Sequence, residues 1–564
     1  MNTTLFGVFG DEATFADHTA GERYDAVLSG ERVTVGVRDA GLGIPGRTTV
    51  HRGDRGRCLV WGEAFFRDDE REVARRFYEA YREGGETALD DLNGSYLVVV
   101  EHDGEPRVYT DPIRSWECYY TDAAGVRAFG SDAARVAETA SDPTPDWDGI
   151  RQFAHFGNVF DDGTVLAELD RIPFDGWLGP DDTGELRRFV YQPREFDYVG
   201  ELAARLERAL HRRSGLPGEV GLLLSAGYDS RIVLSQLDDV DRCYSIGSPG
   251  GDEVRVAGRL ADRYGAAHEV LEVDAQYLQT TQSIVQYTQG LRESIHIHHR
   301  GNNAEIDVDS ILHGMFFDTL LRGFFLPTDG VDLFGHTFPR DRLEADPDPA
   351  AHFADKLGCF PGGPEAPRDA TALGDGDWEA YARDIIEPAV ERCYDRADSV
   401  YNAIDLLGVK LKPTLPFRTH LADHYVESFV ACDAELLEWH CMAPPSYRND
   451  EVYRAALERI DADVLTPRPP NRPHDSYKLN QIEKFLRRKV PLVSAFERPL
   501  PDRDRIYDRN DMDQQLFPDS EPLHALSPRI KLRVNDVASW LNAVVPGTVE
   551  PTEVLRPRSV PSCD

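Results

Sequence analysis

The stretch Glu219 to Leu234, EVGLLLSAGYDSRIVL, constrains the fold of this chain more than any other. Val220 to Leu224 is a short, nearly continuous apolar run, the pattern of a parallel strand buried on both faces. It stops at a small-residue loop, Ser225-Ala226-Gly227-Tyr228-Asp229-Ser230, after which Ile232, Val233, Leu234 and Leu237 fall at helical spacing. A strand, a tight turn and a helix N-terminus make a ready anion site. The first-turn N–H groups have no intrahelical partner there, and the helix dipole favours negative charge. Ser225 and Ser230 add hydroxyls, Gly227 allows close backbone approach, and Asp229 offers a carboxylate to a divalent cation. The same residues would also serve an ordinary capped turn, so the rest of the chain must decide.

Around this stretch the sequence changes period. From about Glu201, helix Leu202–Leu210 precedes the loop, and strand Cys243–Ile246, helix Glu253–Tyr264 and strand Val270–Val273 follow it. Strands alternating with helices predict a doubly wound parallel sheet, whose ligands bind at the carboxyl ends of the strands. Residues 1 to roughly 195 instead hold short apolar runs between Asp/Gly turns: LFGVFGD, RCLVWGEAFF, SYLVVVEHDG, PRVYTDP and VRAFGSD. One amphipathic helix, Glu70 to Glu83, places Val73, Phe77 and Tyr81 on a face. The expected fold class is α/β: an α+β sandwich over 1–197, a parallel-sheet domain with a helical C-terminal part over 198–520, and a closing helix and tail over 521–564. The amphipathic segment Ser527–Val545 supplies that helix.

With 564 residues and a net charge of −37, the acidic residues are spread along the whole length rather than gathered in a tail. Aromatic residues at 10% and apolar residues at 41% argue against disorder, so the charge reads as a strongly hydrated surface suited to salt-rich cytoplasm. No apolar run is long enough to span a membrane, and MNTTLFGVFGDEATF lacks the basic and apolar regions of a secretory signal. Eight Cys without a CxxC pair argue against a zinc site or a disulfide framework. Three further features carry less. GLGIPG (Gly41–Gly46) holds Pro45 and precedes no helix, which excludes a dinucleotide fingerprint. His296-Ile297-His298-His299 reads as packing or surface sooner than as a metal cluster. The Asp/Pro/Gly-rich stretch 341–377 reads as an acidic insertion.

Taken in order, the motifs resemble those of the asparagine synthases. SAGYDS is similar to the SGGxDS pyrophosphate loop of the ATP pyrophosphatases and differs from a Walker A loop, since no Gly-Lys-Ser/Thr follows. Tyr244–Asp274 carries Asp252-Glu253, Ala257, Ala261, Gly265 and His268 in the family's order. In SILHGMFFDTLLRGFF, Gly314, Asp318 and Gly323 keep their places in its G-x-G-x-D-E-x-x-x-G run. Pro416, Phe417, Asp423, Val426 and Glu427 match a helix entry. In the first third, GVFGD, WGEAFF, Leu92–Tyr120 and FGSD resemble the family's amidotransferase domain.

The resemblance implies an ATP-dependent, amide-forming enzyme that adenylates a carboxylate, with ATP and Mg²⁺ as cofactors. Leu224, Ser225, Ala226, Gly227, Asp229, Ser230, Tyr244, Ser245, Ile246 and Gly314 would line the nucleotide. Asp229 and Asp318 would hold the metal, with a helix cap as the other reading of Asp318. His268 fits a nucleotide contact and a helix-end cap equally. The partners implied are a small carboxylate acceptor and an amine or ammonia; no membrane and no nucleic acid are expected, and a homodimer is open. Departures bear on chemistry. Asn2 stands where the glutaminase has its Cys nucleophile, so glutamine hydrolysis is not expected. Thr319 replaces a Glu, Ala226 a Gly, and Arg231 a frequent second Ser. No Lys follows VLTPR at the family's phosphate-steadying position, leaving Arg468, Arg472 or Lys478 as substitutes. Two other readings stay open: another adenylating enzyme of the same loop class, lactam-forming or tRNA-modifying, and a nucleotide-binding protein with degenerate chemistry.

Overall fold

The computed structural model describes residues 1–66, 72–123, 125–273, 275–278, 280–333, 336–357, 378–411, 415–490, 493–497 and 500–554. The first part follows the two-residue period. Strands Gly56–Phe66 and Leu92–His102 pair antiparallel over their whole length, Gly56 opposite His102 and Phe66 opposite Leu92. Alternation then sorts their side chains. Leu59, Trp61, Leu97 and Val99 enter one core, whereas Cys58, Val60, Tyr96, Val98 and Val100 enter another. Helix Val73–Gly84 closes the second core with Val73, Ala74, Phe77 and Tyr78; the first residues of the expected helix, 70 and 71, lie outside the described residues. Across the first core lies a second six-stranded sheet, in which Thr4–Val8 runs between Thr34–Arg38 and Ala128–Gly130. Its outer side is covered by helices Trp147–Phe156 and Pro528–Val544, where Phe6 and Val8 share a core with Ile150, Phe153, Trp540 and Leu541. The C-terminal helix therefore packs on the first sandwich, a placement no local pattern foretells.

The second part is a five-stranded parallel sheet: β1 (Val220–Leu223), β2 (Arg242–Ile246), β3 (Ala267–Leu271), β4 (Ser310–His313) and β5 (Val426–Ser428), in the order β3-β2-β1-β4-β5. Helices α1 (Tyr228–Gln236) and α2 (Asp252–Tyr264) make the crossovers from β1 to β2 and from β2 to β3. Both faces are apolar, as the continuous run in β1 requires. Leu222, Cys243, Ile232, Ala257 and Leu312 share one core, and Tyr244, Leu271, Ile311, Phe417 and Tyr425 the other. From Trp378 to Val544 the described residues are mainly helical, with β5 as the strand among them. The fold class is α/β, antiparallel sheets followed by a parallel sheet and a helical C-terminal part. Within the stretch read as an acidic insertion, Pro349–Leu357 is a helix, because Ala350, Phe353 and Ala354 fall at helical spacing and are buried; residues 358–377 lie outside the described residues, as do tail residues 555–564. Among the described residues no helix is long and apolar enough to cross a membrane.

Buried ion pairs join the sandwich to the parallel-sheet part. Arg213 reaches Glu63 at 3.1 Å and Asp433 at 2.8 Å, and Arg418 reaches Glu427 at 2.8 Å and the Ser95 hydroxyl at 3.0 Å. Such pairs add little net stability over apolar packing, but removing one member strands the other, so they fix how the two parts dock.

Candidate functional site

The strand order reverses between β1 and β4, and at such a point the crevice beyond the strand ends is where open α/β sheets bind ligands. The loop after β1 is Leu224–Gly227; the turn after β4 is Gly314–Phe316. They touch. A Cβ built on Gly314 would lie 2.5 Å from the Asp229 carbonyl carbon and 2.7 Å from the Ser230 nitrogen, so only glycine lets the two turns approach this closely. Phe316, where the resembling motif has glycine, holds a left-handed backbone (φ 75°) and begins α3 (Phe317–Arg322). Its ring is buried beside Phe429, and that packing sustains a conformation unfavourable for a bulky residue.

The loop is held from within. The Ser225 N–H donates to the Ser230 hydroxyl (3.0 Å), the Gly227 N–H to the Ser225 hydroxyl (3.1 Å), and the Ala226 N–H to the Glu253 carboxylate (2.8 Å). Gly227 caps α1 without a side chain, leaving the first turn of α1 without a side-chain cap. Arg231, fully buried, donates to the carbonyls of Gly227 (3.0 Å), Val464 (2.8 Å) and Pro467 (2.8 Å) and to that of Ala226. It therefore clamps the loop from below rather than facing a ligand. Burial lowers its pKa to about 10, only partly opposed by nearby groups that include Glu253.

Charge gathers on the open side. The Arg322 guanidinium meets both Asp229 oxygens (3.1 and 2.9 Å) and also Asp450 (2.6 Å), which in turn meets Arg472 (2.8 Å). Burial opposes the Arg322 charge, but the Asp229 and Asp450 carboxylates outweigh it and raise its pKa. Asp318 is in the first turn of α3 and is not its cap. Its carboxylate accepts from the Thr319 N–H (2.7 Å), and burial followed by the charge of Asp229 pushes its pKa up. Two neighbouring carboxylates of which one resists ionisation form a donor set that suits a hard divalent cation completed by phosphate oxygens. Among the described residues no group of three His, Cys, Asp or Glu could hold a metal by itself, His296–His299 included.

The remaining expected residues divide. Arg472 joins the ion chain to Asp229. Arg468 pairs with Asp475 at 2.5 Å; Asp475 also pairs with Arg454, whose guanidinium lies 5.7 Å from the Tyr228 ring centroid. Lys478 is exposed on the first turn of helix Tyr477–Lys489. On β2, the Ser245 hydroxyl donates to the Leu224 carbonyl (2.7 Å) and contacts His268 (2.9 Å), so His268 braces the loop through Ser245. Tyr244 turns its ring into the core, its hydroxyl accepting from the Asp307 N–H (3.2 Å), while Ile246 is half-buried at the strand end. Two participants escaped the sequence reading. Arg322 acts on Asp229 across a long separation that no local pattern encodes. Lys356 sits close enough to Asp318 that this carboxylate partly offsets the burial lowering its pKa.

Residues 201–305 match the asparagine synthase family model. The match takes in SAGYDS, β2, Glu253 and His268, and ends before Gly314 and Asp318. No curated protein matches the chain. Among solved structures, the allosteric regulatory enzyme of purine biosynthesis is similar at 13% identity over 57% of this chain and 75% of that one, with a TM-score of 0.22. Glutamine phosphoribosylpyrophosphate amidotransferase from B. subtilis, complexed with ADP and GMP, is similar at 12% identity over 64% and 90%, with a TM-score of 0.20.

Outside the asparagine synthase match, the N-terminal end of strand Thr4–Val8 has its own geometry. The Asn2 N–H donates to the Asp423 carboxylate, its amide to the Asp423 carbonyl (3.2 Å), and Asp423 also accepts from Thr3 N–H (3.1 Å) and the Tyr287 hydroxyl (2.7 Å). Between the sheets, Trp61 packs on Trp116 at 4.9 Å. Glu63 is spent on Arg47, Arg213 and the Ser428 hydroxyl.

Proposed function

We propose that the chain is an asparagine-synthase-like, ATP-dependent amide-forming enzyme that activates a carboxylate as its acyl adenylate, releases pyrophosphate and then AMP, and does not hydrolyse glutamine. The observation that carries this reading is the contact of the SAGYDS loop with the Gly314 turn at the sheet's switch point, next to Asp229 and Asp318. Ser225, Gly227, Ser230 and the first turn of α1 would bind the departing pyrophosphate, with Leu224, Ala226 and the ends of β2 along the nucleoside. Asp229 and Asp318 would hold Mg²⁺, which when bound offsets negative charge on the phosphates. Arg322 must then share Asp229 or swing toward phosphate; Arg472, Arg468 and Lys478 are the cations available for the charge that builds on the α-phosphate. The amine is ammonia, a second molecule or a group within the substrate, because Asn2 offers no nucleophilic thiol. A salt-rich cytoplasm is the setting we propose, and the net charge of −37 spread along the chain supports it.

The test is exchange of labelled pyrophosphate into ATP, screened over carboxylic acids in molar KCl. Exchange that disappears in Asp229→Asn supports the reading. Two contacts favour a second reading, a nucleotide-binding protein without turnover: Asp229 is already paired with Arg322, and the Ala226 N–H with Glu253. ATP binding without exchange for any acid would establish it and overturn the first.

A further inference from the structure

Helix Tyr477–Lys489 buries none of its residues. Leu479, Ile482, Leu486 and Val490 stand 51%, 48%, 50% and 38% exposed, at spacings of three and four that put them on one narrow stripe. In a chain of net charge −37 this helix carries five basic residues, Lys478, Lys484, Arg487, Arg488 and Lys489, against one acidic, Glu483. Arg487 is neutralised by Glu483 at 2.8 Å, which leaves Lys478 and Lys489 to set the charge along the other edge of the stripe. No basic face is apparent from composition; folding assembles one.

The helix sits at the mouth of the nucleotide site. It starts just after Asp475, the partner of Arg454 and Arg468. On the helix itself, Lys484 is exposed and close enough to Arg472, the outer cation of the ion chain to Asp229, to feel its charge. The chain then returns to α2, where Glu497 accepts from the Asp252 N–H at 2.5 Å.

We propose that this helix is the docking surface for an acidic amphipathic helix of a second protein, brought to the rim of the nucleotide site. Stripe width and charge select this occupant. A three-four stripe of single-residue width is the seam of a helix pair, whereas a helix lying on a membrane needs a broad apolar face. A second copy of the same helix would set Lys478 and Lys489 against like charges, which disfavours self-pairing. That the docked protein bears the acceptor or the amine rests on the synthetase reading; the docking itself does not, because it is measured without nucleotide.

The probe is a fluorescein-labelled synthetic helix with Leu at the seam positions and Glu on both flanks, titrated with the full chain and followed by anisotropy in the KCl that keeps it folded. The expected results are saturable binding, about fivefold or more over a Lys-flanked control, and loss of about tenfold or more in Ile482→Glu/Leu486→Glu. Both positions are exposed, so this variant should keep the parent's melting temperature. Equal binding of the two peptides, or no effect of the double variant, overturns the proposal. So does co-sedimentation with phosphatidylserine vesicles in place of peptide binding, or a dimer that the double variant dissociates.

Discussion

Gly314→Ala isolates the contact on which the nucleotide reading depends. Gly314 does not occupy the left-handed region, so the substitution tests space and not backbone strain. The new methyl would meet main-chain atoms of Asp229 at 2.5 and 2.6 Å and of Ser230 at 2.7 Å; an ordinary contact begins at 3.4 Å, so about 0.9 Å of movement is needed. Neither side gives easily. His313 is paired in register with Leu223, and the start of α1 is clamped by Arg231. Overpacking of this kind costs about 1–3 kcal/mol, and a displacement near 1 Å in a reacting site costs up to about a hundredfold in rate. Gly227→Ala is the control for stability alone, since Gly227 belongs to the proposed pyrophosphate loop: its methyl would meet only the Ser225 hydroxyl at 3.0 Å, a group that can rotate, and its φ of −69° suits alanine. Denaturation midpoints and pyrophosphate exchange read both effects. Exchange within about twofold of the parent, with stability within about 0.5 kcal/mol, would refute the argument that the two turns form one rigid site.

Arg231→Ala strands four carbonyls in a buried place and should cost about 3–5 kcal/mol by denaturant titration, with Arg231→Lys recovering only part. Asp536, buried and accepting from the Ser294 N–H at 2.7 Å, has a pKa raised to about 6, chiefly by burial. Between about pH 4 and pH 6 the folded state thus binds the extra proton, so this group lowers stability as pH rises through that window by about 3 kcal/mol. Asp536→Asn should flatten that fall relative to the parent; an unchanged slope in the melting-temperature profile would count against it. Asn2→Cys should release no glutamate from glutamine, because Trp61 and Trp116 fill the space between the sheets and Asp423 pins the backbone of residues 2 and 3; measurable release would overturn this.

Much of the fold was legible because its signals are local. A continuous apolar run followed by small residues identifies β1 and its loop, and alternation in Leu92–His102 separates two cores that the structure fills. The candidate site was legible only where a motif carries its own chemistry, as in SAGYDS and Asp318. Its electrostatics were not. Arg322 lies 93 positions from Asp229 and Arg472 is 22 from Asp450, so their pairing exists only once the helices pack. Departures that look like decay in the sequence acquire physical reasons. Arg231 ties the loop to residues 464–467, and Phe316 holds by burial a turn that glycine would make freely.

The two extremes of charge in this chain are one design problem. Its acidic excess leaves a surface on which acidic groups stay hydrated, while guanidinium groups are drawn inward: Arg114, Arg171, Arg213, Arg231, Arg292, Arg300, Arg418, Arg448 and Arg533 are all fully buried. A guanidinium tolerates this better than an ammonium, being more weakly hydrated and able to bond several carbonyls at once. The far field of such a protein repels nucleotides. Its near field does not, since Arg322, Arg472, Arg468 and Arg454 stand within the chains of ion pairs around the loop. In molar salt, repulsion is screened beyond about 3 Å while contacts at bonding distance persist. Short contacts of this kind would thus survive in the high salt under which the proposed activity is to be tested. The same contrast fits the place of Lys478, Lys484 and Lys489, three of the seven lysines of the chain, on an exposed helix beside that site.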